Sequence, residues 1–404
     1  MHVLIIHQAF ASASEAGGTR HYEFARHLIQ QGHRVTVVAG SVNYLTGGDL
    51  TDSAADRGEP GMVIVRPYTY RALHKSFFHR ALSFVCFMVS SAVAALRVRH
   101  VDVVVGTSPP ILQGATAWAV ARLKRVPFVF EVRDLWPAFA IELQIIKSRP
   151  IIAAARALER FLYRRADRLL VNSPGFVSHV KAIAGRVPTL ISNGVDGSLF
   201  SPSDRGARYR EEWGAGDRFV VLYAGAHGTA NNLEIVLEAA RALRDIPEIL
   251  FVFVGDGKEK RTLEAFARSR ELVNVRFEAA RPKTEMPAVV AAADVCIATL
   301  RDIPLFRTTY PNKVFDYMAA AKPTVIAIDG VIRRVIEESG GGVYVPPGDA
   351  KALAEALQRL AADRPGCRLM GARARSFVLK HFNRKDQAES FSALLTECTH
   401  EAVV

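Results

Sequence analysis

A short segment, residues 306–323, carries residue types that suit binding of an anion. Pro311 fits the first turn of a helix, because a backbone amide hydrogen at that position would have no acceptor within the helix. Pro323 suits the start of the following strand. The helix between them would follow a strand and a loop, so its unpaired amides and the Lys313 ammonium would point together at a ligand. The sequence therefore predicts an anion site at residues 309–313.

Lys313 and Asp316 lie three residues apart and so share one face of this helix, with Asp316 about 5 Å further along the axis. That spacing suits a nucleoside diphosphate, with the phosphates at the helix tip and the ribose hydroxyls on the carboxylate. A surface ion pair between the two side chains is the alternative. The residues predicted to contact the ligand are Thr308, Thr309, Tyr310, Asn312, Lys313 and Asp316.

A second group follows the strand that ends near Tyr223. Gly225 and Gly228 would let the backbone approach phosphates, although a tight turn without a ligand explains glycine equally well. His227 in the same turn is a candidate catalytic group or a histidine that is merely hydrogen-bonded. Arg281, and with it Arg307, is a candidate for neutralising the phosphates.

The first half of the chain offers two further candidates. Gly17 and Gly18 follow the first strand and, with Arg20, suggest a loop that contacts a phosphate or a second substrate. Arg133 and Asp134 end another strand, which is an unusual place for two charges unless they face a site. Asp134 could orient or deprotonate a hydroxyl, or it could simply cap a helix.

The elements that must position these residues repeat one pattern, a β-branched apolar run followed by a turn and an amphipathic helix. This pattern predicts parallel βαβ units in two doubly wound domains. The predicted strands are 3–6, 35–39, 63–65, 101–105, 128–131, 169–172, 219–224, 249–254, 275–277, 295–300, 324–328 and 343–345. Ligands of such sheets bind beyond the carboxyl ends of the strands, which is where the candidate residues lie.

We expect an N-terminal Rossmann-like domain over residues 1–195 that binds the acceptor of the reaction. A C-terminal Rossmann-like domain over 196–375 would bind the nucleotide. The tail, 376–404, is predicted to be helical and to pack back on the N-terminal domain.

Composition limits the possible classes. Of the 404 residues, 50% are hydrophobic and 23% are charged, which indicates a folded globular chain. Lys and Arg outnumber Asp and Glu by 52 to 40, and the net charge of +12 favours anionic partners. The four cysteines are widely spaced without a CxxC pair, and no secretory leader precedes the first strand. We therefore expect a cytoplasmic protein without disulfides.

The uncharged stretch 81–96 permits two interpretations. It is shorter than the roughly 20 residues of a spanning helix, so a buried helix of the first domain is one reading. The other is peripheral attachment, with aromatic side chains at the lipid boundary and basic side chains on anionic headgroups. The residues named for attachment are Lys75, Phe77, Phe78, Arg80, Phe84, Phe87, Met88 and Arg97.

The block from Pro311 to Val325, PNKVFDYMAAAKPTV, resembles the donor-site block of the retaining glycosyltransferases of family 4, which have the GT-B fold. Asp316 matches the second glutamate of that family's two-glutamate motif, which holds ribose, whereas Thr308 replaces the first. Many members carry an Arg and Lys pair after the glycine of residue 225, and this sequence has neither. The resemblance thus leaves Lys313 to neutralise the diphosphate.

The resemblance implies transfer of a sugar from a nucleotide diphosphate, with retention at the anomeric carbon and without a metal or other cofactor. A UDP-linked donor, such as an N-acetylated deoxy sugar, and a polyprenyl-diphosphate-linked saccharide as acceptor would fit bacterial O-antigen or capsule synthesis, as in N-acetylfucosaminyl transferases. No nucleic acid is expected as a partner. A soluble acceptor and a nucleotide-sugar epimerase remain as alternatives, and a solute-binding protein is disfavoured by the missing leader.

Overall fold

The computed structural model describes residues 1–50, 60–71, 77–200 and 206–401. The strands within these ranges are β1 His2–His7, β2 Arg34–Ala39, β3 Met62–Val65, β4 Val103–Ser108, β5 Phe128–Val132, β6 Arg168–Val171, β7 Thr189–Leu190, β8 Phe219–Ala224, β9 Ile249–Val254, β10 Val275–Glu278, β11 Val295–Thr299, β12 Thr324–Ala327 and β13 Gly342–Tyr344. All twelve predicted strands are present, and the predicted α/β class is confirmed.

The helices alternate with these strands and then dominate the last quarter of the chain. They are α1 Arg20–Gln30, α2 Phe77–Arg97, α3 Ile111–Lys124, α4 Ala138–Glu142, α5 Arg149–Arg165, α6 Val177–Ala184, α7 Ala207–Glu212, α8 Glu234–Ala242, α9 Lys260–Ser269, α10 Met286–Ala291, α11 Asn312–Ala319, α12 Val331–Ser339, α13 Ala350–Ala362, α14 Arg364–His381 and α15 Arg384–Glu401.

The chain forms two compact units, Met1–Ser192 with Lys385–Val404, and Asn193–Arg384. The first crossing between them thus falls after Ser192, and almost all of α15 belongs to the first unit. Its side chains contribute to the core of that unit, where Phe391 stacks on Phe24 of α1 at 4.8 Å between ring centroids. The segment 376–383, expected in the tail, belongs to the second unit.

Each unit contains one parallel sheet. The strand order is β3-β2-β1-β4-β5-β6-β7 in the first unit and β10-β9-β8-β11-β12-β13 in the second. The order reverses between β1 and β4 in the first sheet and between β8 and β11 in the second. Loops that leave the two central strands in opposite directions open a crevice at such a point, so each unit has one preferred ligand position.

Helix α2 has two distinct faces. Ser83, Phe87, Ser91 and Ala95, spaced four residues apart, are buried against the first unit. A second stripe of large apolar side chains is exposed, with exposed fractions from 42% to 73%: Phe78, Leu82, Val85, Val89, Val93 and Leu96. By length and composition, the part of α2 from 78 to 97 is sufficient to cross a membrane.

The structure of α2 corrects two expectations, one about its length and one about its attachment residues. The helix is longer than the uncharged stretch that suggested it, so the argument that it is too short to span was wrong. Phe87 is fully buried and cannot be an attachment residue, whereas Phe78 is the most exposed of the stripe. Lys75 and the side chain of Phe77 lie outside the described residues.

Candidate active site

Lys313 lies in the first turn of α11 and points back at the end of β8. Its Nζ donates a hydrogen bond of 2.6 Å to the hydroxyl of Tyr223 and lies 3.9 Å from the centre of that ring. Burial lowers the pKa of Lys313 from 10.5 to about 7. No carboxylate lies within 4.0 Å of this ammonium among the residues that the structure describes. With a pKa of about 7 it is only partly protonated at neutral pH, so an anion placed here would increase its charge.

The absence of a side chain at Gly225 provides the space that the Lys313 side chain occupies. The backbone of Gly225 has φ +145°, which favours glycine, and a Cβ built there would lie 2.8 Å from the Nζ of Lys313. The amide of Gly225 donates to Val254, which fixes the turn. Tyr223, Gly225 and Lys313, here called the helix-tip cluster, thus meet beside the point where the second sheet reverses its strand order. The sequence predicts Gly225 and Lys313 for this site but not Tyr223.

The position of α11 is fixed by Tyr317, four residues after Lys313. Its buried hydroxyl accepts a hydrogen bond from the amide of Ala224 at 2.8 Å and donates one to the carbonyl of the same residue at 3.0 Å. Both bonds join α11 to the last residue of β8. The distance between the lysine and the glycine turn is therefore set by a buried contact rather than by the loop.

Asp316 is not alone on its helix face, because Lys283 binds it. The Nζ of Lys283 lies 2.6 Å from Oδ2 of Asp316, and the side chains are only 14% and 19% exposed. The ammonium also lies 4.7 Å from the ring centre of Phe200. The alternative to the nucleotide site, a surface ion pair between Lys313 and Asp316, is not formed, since Lys313 contacts Tyr223 and Asp316 contacts Lys283. Lys283 is a residue that sequence reasoning missed.

His227 does not have the position of a catalytic group. Its side chain is fully buried, and the rings of Tyr223, Phe253 and Phe277 surround it. Burial, followed by the charges of Lys260 and Lys313, lowers the pKa of His227 to about 4. The prediction of a catalytic histidine is therefore corrected: this imidazole is neutral and enclosed. Gly228 precedes the next short turn, and a Cβ there would make an ordinary contact of 3.8 Å with Nδ2 of Asn231.

The residues before α11 divide into two groups. Thr308 donates to the carbonyl of Leu305, so its hydroxyl closes a 3-10 turn. Tyr310 packs its ring on aromatic side chains, and its carbonyl accepts from Asn193. The buried Oγ1 of Thr309 has no hydrogen-bond partner among the described residues, and Asn312 is exposed. Of these four, Thr309 and Asn312 keep groups available to a ligand.

The two arginines expected to assist Lys313 are engaged elsewhere. Arg281 forms ion pairs with Glu212 and Glu285. Arg307 is 49% exposed and lies 3.3 Å from Asp302. Because both guanidiniums are already balanced by carboxylates, the structure does not support the predicted role of Arg281 at the phosphates.

In the first unit, Gly17 has φ +148°, and a Cβ there would lie 2.9 Å from the ring of Tyr44. The amide of Gly18 donates to the hydroxyl of Tyr44 at 3.2 Å. Burial raises the pKa of Tyr44, and the charges of Arg133 and Asp134 act on it in opposite directions. Tyr44 thus links the two predicted groups of this unit, and sequence reasoning missed it.

Arg133 and Asp134 follow β5. The Nε of Arg133 donates to the hydroxyl of Thr107 at 2.7 Å, which joins the ends of β5 and β4. Burial raises the pKa of Asp134 to about 6, and the charge of Arg133 opposes this rise. A carboxylate with such a pKa can accept a proton near neutral pH, which agrees with the predicted role without testing it.

Arg20 has a structural role instead of the predicted role in a loop. It is 4% exposed, and its Nε lies 2.9 Å from Glu131. Its two terminal nitrogens donate to the carbonyls of Ser192 and Ile191 at 2.6 Å each. Although burial opposes ionisation, the charge of Arg20 holds the pKa of Glu131 well below its usual range. The guanidinium therefore joins α1 to β5 and to the backbone of Ile191 and Ser192.

Comparison with known proteins gives the reaction class. Residues 218–363 match the family model described as glycosyl transferases group 1, and residues 16–194 match that of the glycosyl transferase 4-like domain. The chain is a glycosyltransferase of the GT-B type. The two models fall on the two sheets, and the first includes the whole helix-tip cluster. The expected fold and enzyme class are confirmed.

Individual relatives of this glycosyltransferase are distant but cover most of it. The glycosyltransferase WbjE of Pseudomonas aeruginosa is 27% identical over 76% of this chain and 78% of its own. The colanic acid biosynthesis glycosyl transferase WcaI of Escherichia coli is 24% identical over 83% and 86%. Anabaena HepE with UDP and glucose has a similar fold, with a TM-score of 0.76, 18% identity and coverage of 98% and 100%.

Proposed function

We propose that this glycosyltransferase transfers a sugar from a UDP-linked donor, with retention, to a hydroxyl of a lipid-linked saccharide in bacterial surface polysaccharide synthesis. The observation that carries the proposal is the helix-tip cluster, where an ammonium that has no carboxylate partner within the described part of the chain faces a glycine turn at the switch point of the second sheet. UDP is supported by the HepE complex, and the pathway by the name of WcaI. The N-acetylated deoxy sugar is part of the same proposal.

The leaving diphosphate gains negative charge as the glycosidic bond breaks. Lys313 and the amides that begin α11 lie in the same helix turn and are proposed to stabilise that charge more than the charge of the bound substrate. No protein nucleophile is required if the leaving phosphate accepts the proton of the acceptor hydroxyl on the same face. Asp134, with its raised pKa, is proposed to orient that hydroxyl.

Asp316 is proposed to accept hydrogen bonds from the ribose. The ion pair with Lys283 orients the carboxylate for this contact. This differs from a free carboxylate, because loss of Lys283 would move Asp316 as well. Both residues therefore belong to the proposed nucleotide site.

Transfer is proposed to need no metal ion, because Lys313 supplies the positive charge at the phosphates. The part of the chain that the structure describes holds no group of three or more His, Cys, Asp or Glu that is arranged to bind a metal. The test is activity in excess chelator.

The lipid-linked acceptor and peripheral membrane contact are proposed from α2. A helix that buries one stripe of side chains and exposes an apolar one is suited to lie at a lipid boundary. The contact would be with the inner face of the cytoplasmic membrane, where such acceptors are assembled. A soluble acceptor is the alternative, and parallel assays with detergent-dispersed polyprenyl-linked and water-soluble saccharides decide between them.

The donor site is tested by thermal shifts with UDP, GDP, dTDP and ADP in excess chelator. A ligand at 100 times its dissociation constant stabilises by about 2.7 kcal/mol. We expect one diphosphate to stabilise the wild type and Asp302→Ala, a control at an exposed aspartate of the same unit, but not Asp316→Ala. An equal response of Asp316→Ala would refute the site. Retention is tested by comparing the anomeric configuration of donor and product by NMR.

A further inference from the structure

The first unit contains a cavity of about 670 Å³ at the amino ends of β5 and β6, on the sheet edge opposite Arg133 and Asp134. Residues from the ends of α3, α5 and α15 line it. Six of the lining residues are arginines: Arg122, Arg125, Arg164, Arg165, Arg168 and Arg186. Two carboxylates, those of Asp167 and Glu401, share the same lining.

The positive charge of this cavity is not balanced. Six guanidiniums and two carboxylates leave four positive charges. The carboxyl ends of α3, α5, α6 and α15 lie near the arginines, and each helix end acts as about half a negative charge. These ends offset about two of the four charges. An excess of about two positive charges remains, which a dianion would match.

Three of the six arginines have structural partners. Arg164 donates to the backbone carbonyl of Ile183 at 3.2 Å, and Arg186 donates to the backbone carbonyls of Asp167 at 3.2 Å and of Ala166. Arg168 lies 2.5 Å from Glu401. Capping of helix carbonyls and one ion pair explain these three residues. They do not explain why three more arginines line the same cavity.

The other three arginines are loosely held. Arg122 lies 3.9 Å from Asp167, with 52% of its side chain exposed. Arg125 and Arg165 have no carboxylate within 4.0 Å among the residues that the structure describes. Burial lowers the pKa of Arg186, and the attraction of Asp167 opposes this more strongly than the repulsion of Arg168 adds to it. The charge that an added anion would meet is therefore mainly that of Arg122, Arg125 and Arg165.

The rim of the cavity is close to the exposed stripe of α2. The Nζ of Lys124, beside Arg125, donates to the carbonyls of Leu96 at 3.1 Å and Val98 at 2.5 Å. Leu123 on the same turn is 70% exposed. Exposed apolar side chains, which suit lipid tails, therefore lie next to the arginines of the cavity. Guanidiniums bind phosphate through paired N–H groups.

We propose that this cavity is a second phosphate site, separate from the donor site of the other unit, and that it binds the phosphates of anionic lipids beside α2. This deepens the proposed membrane contact and rests on it for the source of the phosphate. The site itself does not depend on transferase activity. Free inorganic phosphates have the same chemistry, so the experiment measures both sources.

The test uses the full chain with three substitutions, Arg122→Gln, Arg125→Asn and Arg165→Gln. Asn suits residue 125 because its φ is +57°. The matched control removes three exposed helical arginines of the second unit, through Arg261→Gln, Arg359→Gln and Arg368→Gln. Melting temperatures establish folding, and Arg125→Asn alone replaces the triple variant if that variant unfolds.

Binding is measured with phosphatidylcholine vesicles with and without phosphatidylglycerol, and by calorimetry with inorganic pyrophosphate. The pyrophosphate titrations use a Lys313→Met background, which weakens binding at the donor site. For a lipid source we expect the cavity variant to bind phosphatidylglycerol vesicles at least tenfold more weakly than the control variant. If the phosphate comes from a soluble molecule, we expect the cavity variant to bind pyrophosphate at least tenfold more weakly than the control variant.

Equal binding of cavity and control variants to both probes would overturn the proposal, and so would the absence of binding by the wild type. Transfer to a detergent-dispersed acceptor is measured in the same variants. We expect the cavity variant to retain it, because none of its substitutions lies near the donor site. Failure of the wild type to transfer any sugar would count against the proposed function and leave the phosphate site unaffected.

Discussion

The affinity for UDP should fall steeply between pH 7 and pH 9 because of one residue. Burial holds the pKa of Lys313 at about 7 in the free protein, although the ordinary value is 10.5. A diphosphate beside the Nζ favours the protonated form, so the pKa rises on binding. Above the pKa of the free protein, each binding event must therefore take up a proton. His227, with a pKa of about 4, does not titrate in this range.

The size of the effect follows from the two protonation states. With a pKa of about 7, about half of the Lys313 side chains carry a proton at pH 7 and about one in a hundred at pH 9. If the pKa in the complex exceeds 9, the affinity falls about fifty-fold over this interval, or ~2.3 kcal/mol. The terminal phosphate of UDP, with a pKa near 6, is already ionised here and contributes little.

Calorimetric titration with UDP in two buffers of different ionisation enthalpy measures both the affinity and the proton uptake. We expect uptake of about half a proton at pH 7 and nearly one at pH 9. In Lys313→Met, weaker binding should be independent of pH over the same range. An affinity of the wild type that is constant from pH 7 to 9, or a slope that persists in Lys313→Met, would refute the reasoning.

Three other substitutions test the remaining parts. Tyr317→Phe removes both hydrogen bonds to Ala224 and should cost about 1–3 kcal/mol in urea unfolding, together with weaker UDP binding; unchanged binding would show that this contact does not position α11. Arg20→Met removes the guanidinium beside the buried Glu131, leaves His21 as the other partner of that carboxylate, and should cost about 3–5 kcal/mol, which urea unfolding measures; a neutral result would mean that His21 alone compensates the carboxylate. Val89→Ser should lower vesicle binding several-fold without lowering the melting temperature, because Val89 is 58% exposed; equal vesicle binding would exclude that face.

The strands and the helix tip could be predicted from local sequence. β-branched runs such as 249–254 lie in the middle of a sheet with helices on both faces, so they are apolar throughout. The segment of α11 is bounded by prolines, and its capping position is Pro311. These signals depend only on neighbouring residues in the sequence, so the strands and the helix occur in the structure where the sequence predicts them.

The partners of charged side chains could not be predicted. Lys283 reaches Asp316 across 33 residues, and Arg20 reaches Glu131 across 111. No local pattern encodes such distances, since they depend on how the strands are ordered in each sheet. Arg20 therefore resembled a loop residue in the sequence while its guanidinium lies in the core.

We propose that Lys313 serves both binding and catalysis, because its charge would depend on the bound diphosphate. A permanently charged group at this depth would destabilise the free protein, since its desolvation would have no compensating anion. A lysine with a pKa of about 7 avoids part of this cost by losing its proton and regains the charge when the diphosphate arrives. Arginine has no such neutral state near pH 7, and its larger head would crowd Gly225, beside which the Nζ already lies. A single lysine beside a glycine is thus the arrangement that combines an empty site of adequate stability with a charged site during transfer.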